Sequence, residues 1–85
     1  FTLSQNFPNP FNPTTTISYF IPEPYNLRII IYDYIGREVE VLVNELKNEG
    51  IHNVTFNASK LSSGIYFYKI VSGKNISMKK MLLLK

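Results

Sequence analysis

Apolar residues recur at every second position over most of the chain. The segment TTTISYFI alternates Ile17, Tyr19 and Ile21 with Thr16, Ser18 and Phe20. Four later segments, NLRIIIYD, EVEVLV, IHNVTFN and IYFYKI, keep the same period. A period of two is typical of strands with one buried face. The further residues on the alternating positions are Leu27, Ile29, Ile31, Val39, Val41, Val43, His52, Val54, Phe56, Tyr66, Tyr68 and Ile70.

Two segments fit a strand less cleanly. NISMKKMLLLK at the end of the sequence, read as a strand, turns Met81 and Leu83 inward and Lys80 outward, and a terminal helix is the competing interpretation. We favour the strand because β-branched and aromatic residues dominate the preceding segments. VLVNELKNE has helical propensity, but its alternating valines favour an extended strand with a bulge near Leu42.

Turn residues separate these segments. Pro22 and Pro24 cannot donate ladder hydrogen bonds, and residues 33–36 begin with Asp33 and end with Gly36, as a tight turn prefers. Residues 48–50 and 72–75 are typical of hairpin turns, and the longer stretch NASKLSSG is expected to plug the core with Leu61. The pattern predicts one all-β domain, an antiparallel β-sandwich of about six or seven strands.

Composition excludes several classes of protein. The chain has 85 residues, of which 45% are hydrophobic and 18% charged, as in a small folded domain. Cysteine is absent, so neither disulfides nor thiolate metal sites contribute. The net charge is +3, but most basic residues are scattered singly, which argues against nucleic acid as a partner. The sequence starts without a charged and apolar leader, and we therefore expect Phe1 to follow a longer precursor segment.

Residue types for catalysis are scarce. His52 is the single histidine, and its alternation with Val54 and Phe56 predicts a partly buried strand residue. Asp33 is the single aspartate and is expected to accept backbone N–H groups in its turn, while Glu38 and Glu40 are expected on a solvated face. We predict no catalytic residue, metal, cofactor or small-molecule substrate.

Aromatic residues leave one alternative open. An accessory module that binds polysaccharide, or a structural or adhesive partner, would use an exposed aromatic face. Two sets of tyrosines are candidates for that face: Tyr19, Tyr66 and Tyr68, or Tyr25, Tyr32 and Tyr34.

Four stretches carry a resemblance to a known family. In order, they are LSQNFPNPFNPTTTISYFIP, IYDYIGREVEVLVNE, GIHNVTFNASKLSSGIYFYKI and MKKMLLLK. Together they resemble the type A C-terminal sorting domain of the type IX secretion system, over nearly the whole chain and at the family's spacing. The resemblance implies an immunoglobulin-like fold for the antiparallel sandwich.

The resemblance also implies a function. Such a domain folds in the periplasm at the C-terminus of a protein exported by Bacteroidota and their relatives. The outer-membrane translocon recognises it as an address for the fused N-terminal passenger. A sortase-like cysteine peptidase then removes the domain, and the passenger is secreted or attached to the cell surface. The domain would be a substrate of the peptidase and not an enzyme.

Motif positions divide into two groups under this resemblance. Those expected to be structural are Pro8, Asn9, Pro10, Phe11, Asn12, Pro13, Asp33, Gly36, Glu38, Gly64, Tyr66 and Tyr68. Those expected to contact the translocon are Arg37, Lys79, Lys80, Met81, Leu82, Leu83, Leu84 and Lys85. For the second group we expect docking by strand addition or by charge pairing to an acidic surface.

All five prolines lie at or before Pro24, at the start of the chain. We expect residues 1–13 to form an ordered strap rich in Pro and Asn, followed by the sandwich over residues 14–85. Phe7 and Phe11 are expected to pack their rings on the sandwich, with the strap capping the end of the first strand. The processing site is expected in or before residues 1–5.

Overall fold

The computed structural model describes all of residues 1–85, and strands are its only regular elements. They are β1 (Thr2–Leu3), β2 (Thr14–Ile21), β3 (Tyr25–Asp33), β4 (Glu38–Lys47), β5 (Gly50–Asn57), β6 (Gly64–Ser72) and β7 (Asn75–Leu83). The terminal segment is therefore a strand, as predicted. Helices long and apolar enough to cross a bilayer do not occur.

The strands form two antiparallel sheets. One has the order β1-β2-β5 and the other β4-β3-β6-β7. The chain changes sheet at Pro22–Pro24, after β4 and after β5, while β3–β4 and β6–β7 are hairpins within one sheet. Gly73 opens the β6–β7 turn with a φ of 61°, which the first central position of a type II′ turn requires. This architecture confirms the immunoglobulin-like sandwich.

A tyrosine fastens the crossing between β5 and β6. The Tyr66 hydroxyl, near the start of β6, donates to the Ser62 carbonyl four residues upstream at 2.7 Å. Immunoglobulin-like sandwiches use the same device, the tyrosine corner, at this place in the fold. Leu61 packs against the core from within the crossing, as its sequence position predicts.

The core lies between the sheets and consists mostly of the residues on the alternating positions. Its sixteen buried members are Leu3, Phe11, Ile17, Tyr19, Ile21, Leu27, Ile29, Ile31, Val43, Phe56, Ala58, Tyr66, Tyr68, Ile70, Met81 and Leu83. Full burial of one such large side chain stabilises the fold by roughly 1.5–3 kcal/mol. This small core contains residues of both sheets and of the strap.

Strand β4 departs from simple alternation. The register passes from Val43 to Val41 opposite consecutive residues of β3, which leaves Leu42 as the extra residue of a bulge. The bulge near Leu42 is thus confirmed. Because the extra residue shifts the alternation by one, Leu42 packs against the core and Val41 is 39% exposed. A second register shift, at Val39, lets that residue pack against the core again. The expectation that Val41 faces inward is therefore wrong.

The strap joins the two sheets through its backbone. Phe7 pairs with Thr16 of β2, and Phe11 pairs with Leu83 of β7. Phe11 is buried, but Phe7 is 79% exposed, so the expectation that both rings pack on the sandwich holds only for Phe11. Opposite residues of an antiparallel pair point to the same face, and Thr16 lies on the outer face of β2. This pairing directs the Phe7 ring to solvent.

A buried polar cluster fixes the strap. The Tyr68 hydroxyl donates to the Ser4 carbonyl at 2.7 Å and accepts the Asn6 N–H at 2.8 Å. The Asn6 side-chain amide donates to Thr15 Oγ1 and to the Pro8 carbonyl, and Thr15 Oγ1 donates to the same carbonyl. Because these groups are withdrawn from water, each bond lost would leave a polar group unpaired.

Tyr68→Phe should loosen the strap. The change leaves the partners of the hydroxyl unpaired, and we expect the free energy of unfolding to fall by about 1–3 kcal/mol in a denaturant titration. Tyr32→Phe, which removes a half-buried hydroxyl on the outer face of the same sheet, is the matched control. Equal stability of the two variants would contradict the anchoring role of Tyr68.

The same hydroxyl predicts a dependence on alkaline pH. Burial raises the pKa of Tyr68 to about 12, against the smaller opposing effect of the Asn6 N–H. A raised pKa in the folded state means that the contribution of Tyr68 is complete below pH 10, its ordinary value, and is lost as the pH rises towards 12. The difference in unfolding free energy between wild type and Tyr68→Phe should therefore shrink over that interval.

Two buried hydroxyls should respond oppositely to removal. Ser72 Oγ is fully buried and has no hydrogen-bond partner, whereas Thr15 Oγ1 has two. We expect Ser72→Ala to raise the free energy of unfolding by up to about 1 kcal/mol and Thr15→Val to lower it by about 1–3 kcal/mol. Thermal and denaturant unfolding measure both. A clear loss of stability in Ser72→Ala would show that its hydroxyl is bonded.

Candidate recognition surface

Motif residues from separate stretches meet at one end of the four-stranded sheet. In an antiparallel sheet the end of β3 lies beside the start of β6, which lies beside the end of β7. Asp33 is accordingly opposite Tyr66, and Gly64 is opposite Leu83. We call this region the motif end and define it by residues 9–11, 33–38, 64–66 and 79–85.

The β3–β4 turn is closed by the Asp33 carboxylate. Its Oδ1 accepts the N–H groups of Ile35 and Arg37 at 3.1 and 2.9 Å, and its Oδ2 accepts Arg37 Nε at 2.7 Å. Gly36 completes the turn at a φ of 89°, a conformation that side chains oppose. Asp33 is thus the turn-forming acceptor that the sequence predicts.

Arg37 has two functions in this geometry. Its backbone and guanidinium close the turn, yet its side chain remains 75% exposed. Partial burial acts to raise the pKa of Asp33, but the hydrogen bonds and charge of Arg37 together outweigh it and hold that pKa below its usual value. The guanidinium is therefore fixed in position and still available to a partner.

The strap occupies part of the free edge of β7. Asn9 Oδ1 accepts the Leu82 N–H, and Phe11 exchanges backbone bonds with Leu82 and Leu84, all at 3.0 Å. A further strand cannot pair with Leu82 or Leu84 while the strap is in place. Strand addition over the last residues of the chain, one of the two expected docking modes, is blocked by these bonds in the folded domain.

Terminal motif residues fall into buried and exposed groups. Met81 and Leu83 lie in the core with 1% and 0% exposure, so neither can contact another protein while the domain is folded. Lys85 Nζ donates to the carbonyls of Ser59 and Leu61 at 2.6 and 2.8 Å and ties the end of the chain to the β5–β6 crossing. These three positions support the fold.

The remaining terminal residues reach the surface. Lys80 and Leu84 are exposed, whereas Lys79 and Leu82 are half-buried. The two salt bridges of the chain are Arg37–Asp33 and Lys47–Glu45, so the ammonium groups of Lys79 and Lys80 have no acidic partner within 4.0 Å. The motif end therefore presents unpaired positive charge.

The motif end also carries exposed apolar side chains. They are Tyr34, Ile35, Ile65 and Leu84, with exposures of 74%, 62%, 39% and 52%. A shallow pocket of about 210 Å³ lies between the turn and the start of β6. A larger open groove of about 420 Å³ adjoins the same turn on the outer face of the sheet. The combination is suited to contact with a protein surface.

Neither tyrosine set forms a three-ring platform for polysaccharide. Tyr19, Tyr66 and Tyr68 are buried in the core. Of the other set, Tyr32 and Tyr34 line one groove on the outer face, but Tyr25 begins β3 at the opposite end of the strand.

Three further polar residues lie outside the motif end. His52 is a half-buried strand residue, as predicted, and its Nε2–H donates to the Asn48 carbonyl while its ring stacks on Tyr19. Sequence reasoning missed the polar cluster of Asn6 and Thr15. Thr15 carried a signal, since it is a polar residue on an inward position of β2, but Asn6 carried none.

Arg37→Met should release the Asp33 carboxyl. We expect the pKa of Asp33, measured by carbon-13 NMR, to lie below 3.8 in the wild type and to rise in the variant. A lowered pKa in the folded state stabilises the domain above the ordinary pKa, and that contribution disappears as the pH falls through the folded value. Arg28→Met, which removes an exposed guanidinium along β3, should leave this titration unchanged. An unaltered pKa in Arg37→Met would contradict the assignment.

Comparison with known proteins identifies the family of this chain. No curated protein and no solved structure matches the chain significantly. A family model described as the secretion system C-terminal sorting domain matches residues 5–84, a range that includes all but the last residue of the motif end. The chain therefore belongs to the family of C-terminal sorting domains of type IX secretion.

Proposed function

We propose that this sorting signal acts as a folded surface that the type IX outer-membrane translocon recognises. The observation that carries the proposal is the meeting of separate family motifs at one end of the sheet, within the range that the family model matches. The cargo is a passenger fused ahead of Phe1, and the domain acts as an address without catalysing a reaction.

Exposed and half-buried members of the motif end make the contact in this proposal. Arg37, Lys79 and Lys80 supply positive charge, and Leu82 and Leu84 supply adjacent apolar surface. Charge complementarity to an acidic translocon surface would speed association and select the partner. Met81, Leu83 and Lys85 act indirectly by holding this surface in shape.

Processing follows from the same proposal. A sortase-like cysteine peptidase would cleave the precursor on the outer side of the membrane, after transit through the periplasm. Thr2 and Leu3 are paired with β2, and Leu3 is buried, which favours cleavage before Thr2 over cleavage at these two residues. The passenger would then be released or attached at the cell surface.

Secretion of a fluorescent passenger fused before Phe1 tests the proposal in a type IX-competent host. We expect the fusion to reach the medium or the cell surface, and the triple change Arg37→Gln, Lys79→Gln and Lys80→Gln to reduce export by roughly tenfold, as loss of a few surface charge pairs predicts. The matched control replaces Lys47, Lys60 and Lys74 by Gln, which removes the same charge elsewhere. Retention of the wild-type fusion in the periplasm with a folded domain would contradict the proposed function.

A further inference from the structure

One stretch of strand edge in this domain remains unpaired. β7 is the outer strand of the four-stranded sheet. Its even-numbered residues point their backbone groups away from β6, since Lys80, Leu82 and Leu84 all bond to the strap on that side. By the alternation of an antiparallel ladder, Ile76 and Met78 also point their N–H and C=O groups outward, where no hydrogen-bond partner is present.

Most other edges are closed to pairing. The edge of β2 is covered by β1 and by the strap, and Leu82 and Leu84 of β7 are covered by the strap. β4 carries two register shifts and several glutamates, which discourage a further strand. β5 is open, but apart from Ile51 its outward positions carry Asn and Thr. Residues 75–80 of β7 thus combine an open edge with exposed apolar side chains and two lysines.

The side chains along this edge indicate what would pair with it. Ile76 and Met78, 64% and 57% exposed, stand on the outer face of the sheet, where they lie opposite Val71 and Lys69 of β6. Lys79 and Lys80 follow directly and have no acidic partner. Residues directly opposite on a neighbouring strand interact most strongly, apolar with apolar and acidic with basic.

We propose that the free edge of β7 over residues 75–80 accepts an extended segment of the export machinery as an additional strand. The segment carries two apolar residues at alternate positions, opposite Ile76 and Met78, and two acidic residues opposite Lys79 and Lys80. This inference rests on the proposed function, because it names how the recognised surface engages its partner.

Backbone geometry sets the size of the contact. Six residues of strand span roughly 20 Å. The N–H and C=O groups of Ile76 and Met78 and the N–H of Lys80 are available, whereas the Lys80 carbonyl accepts the Gln5 side chain at 2.7 Å. Strand addition obtains affinity from such main-chain bonds and specificity from the alternate side chains. The strap marks where the added strand must end.

Binding of a defined peptide tests this edge directly. The probe is a capped peptide with the sequence Glu-Glu-Val-Thr-Val, titrated into the isotope-labelled 85-residue chain and followed by NMR. We expect saturable shifts along β7 and slower hydrogen exchange at the amides of Ile76 and Met78. A peptide with Lys-Lys in place of Glu-Glu should bind at least about tenfold more weakly, and a peptide with N-methylated valines should not bind. Equal binding of all three peptides, or shifts centred on β5, would overturn the proposal.

Variants of the strand edge test whether peptide binding and passenger export depend on the same residues. Met78→Lys adds a charge where an apolar contact is expected, and Ile51→Lys is the matched control on the open edge of β5, since Ile51 is also exposed. We expect Met78→Lys to reduce peptide binding and passenger export by about tenfold and Ile51→Lys to preserve both. Unchanged unfolding free energy in both variants would verify that the fold is intact.

The two proposals fail in distinguishable ways. If the wild-type fusion is not exported, the proposed function fails regardless of the edge variants. If the wild type is exported and Met78→Lys is exported equally well, the domain is still a sorting signal, but the inference of strand addition on β7 is wrong.

Discussion

The hydrogen bonds of the Tyr68 hydroxyl are the constraint on which the rest of this structure depends. Tyr68 belongs to the four-stranded sheet, whereas Ser4 and Asn6 follow directly from β1 of the three-stranded sheet. One side chain thus joins the two sheets through the strap. A sandwich of 85 residues without disulfides buries a limited area, so a bond of this kind forms a large part of its margin of stability. The same strap closes edges of β2 and β7, which would otherwise invite pairing with other chains.

Alternation in the sequence was sufficient to predict the strands and nearly all of the core, because burial of one face imposes a period of two. It failed at Val41, where the bulge reverses the alternation, although the bulge itself could be anticipated from three apolar residues in a row. It also failed at Phe7. Both phenylalanines of the strap carry the same sequence signal, and only the pairing partner, Thr16 or Leu83, decides which ring is buried.

The motif end could be predicted in content but not in arrangement. Local chemistry is sufficient to predict the Asp33 turn, because its carboxylate, glycine and arginine lie within five residues. The arginine donates hydrogen bonds to the carboxylate without help from any other strand. The neighbours of that turn depend on the order of strands in the sheet, which places β6 between β3 and β7. Periodicity carries no information on that order. For the same reason the sequence did not distinguish Lys85, which holds a crossing loop, from Lys80, which faces solvent.

The last strand carries both core residues and candidate recognition residues, and this has a consequence for how the domain could be recognised. Met81 and Leu83 complete the core, while Lys79 and Lys80 on the same strand remain without acidic partners. The spacing of these charges and the direction of the unpaired backbone groups exist only when β7 is paired with β6 and its apolar residues are buried. An unfolded or truncated chain has the same charges but neither the spacing nor the edge. If the translocon recognises this surface as proposed, it recognises only the folded domain, and export would then depend on completed folding.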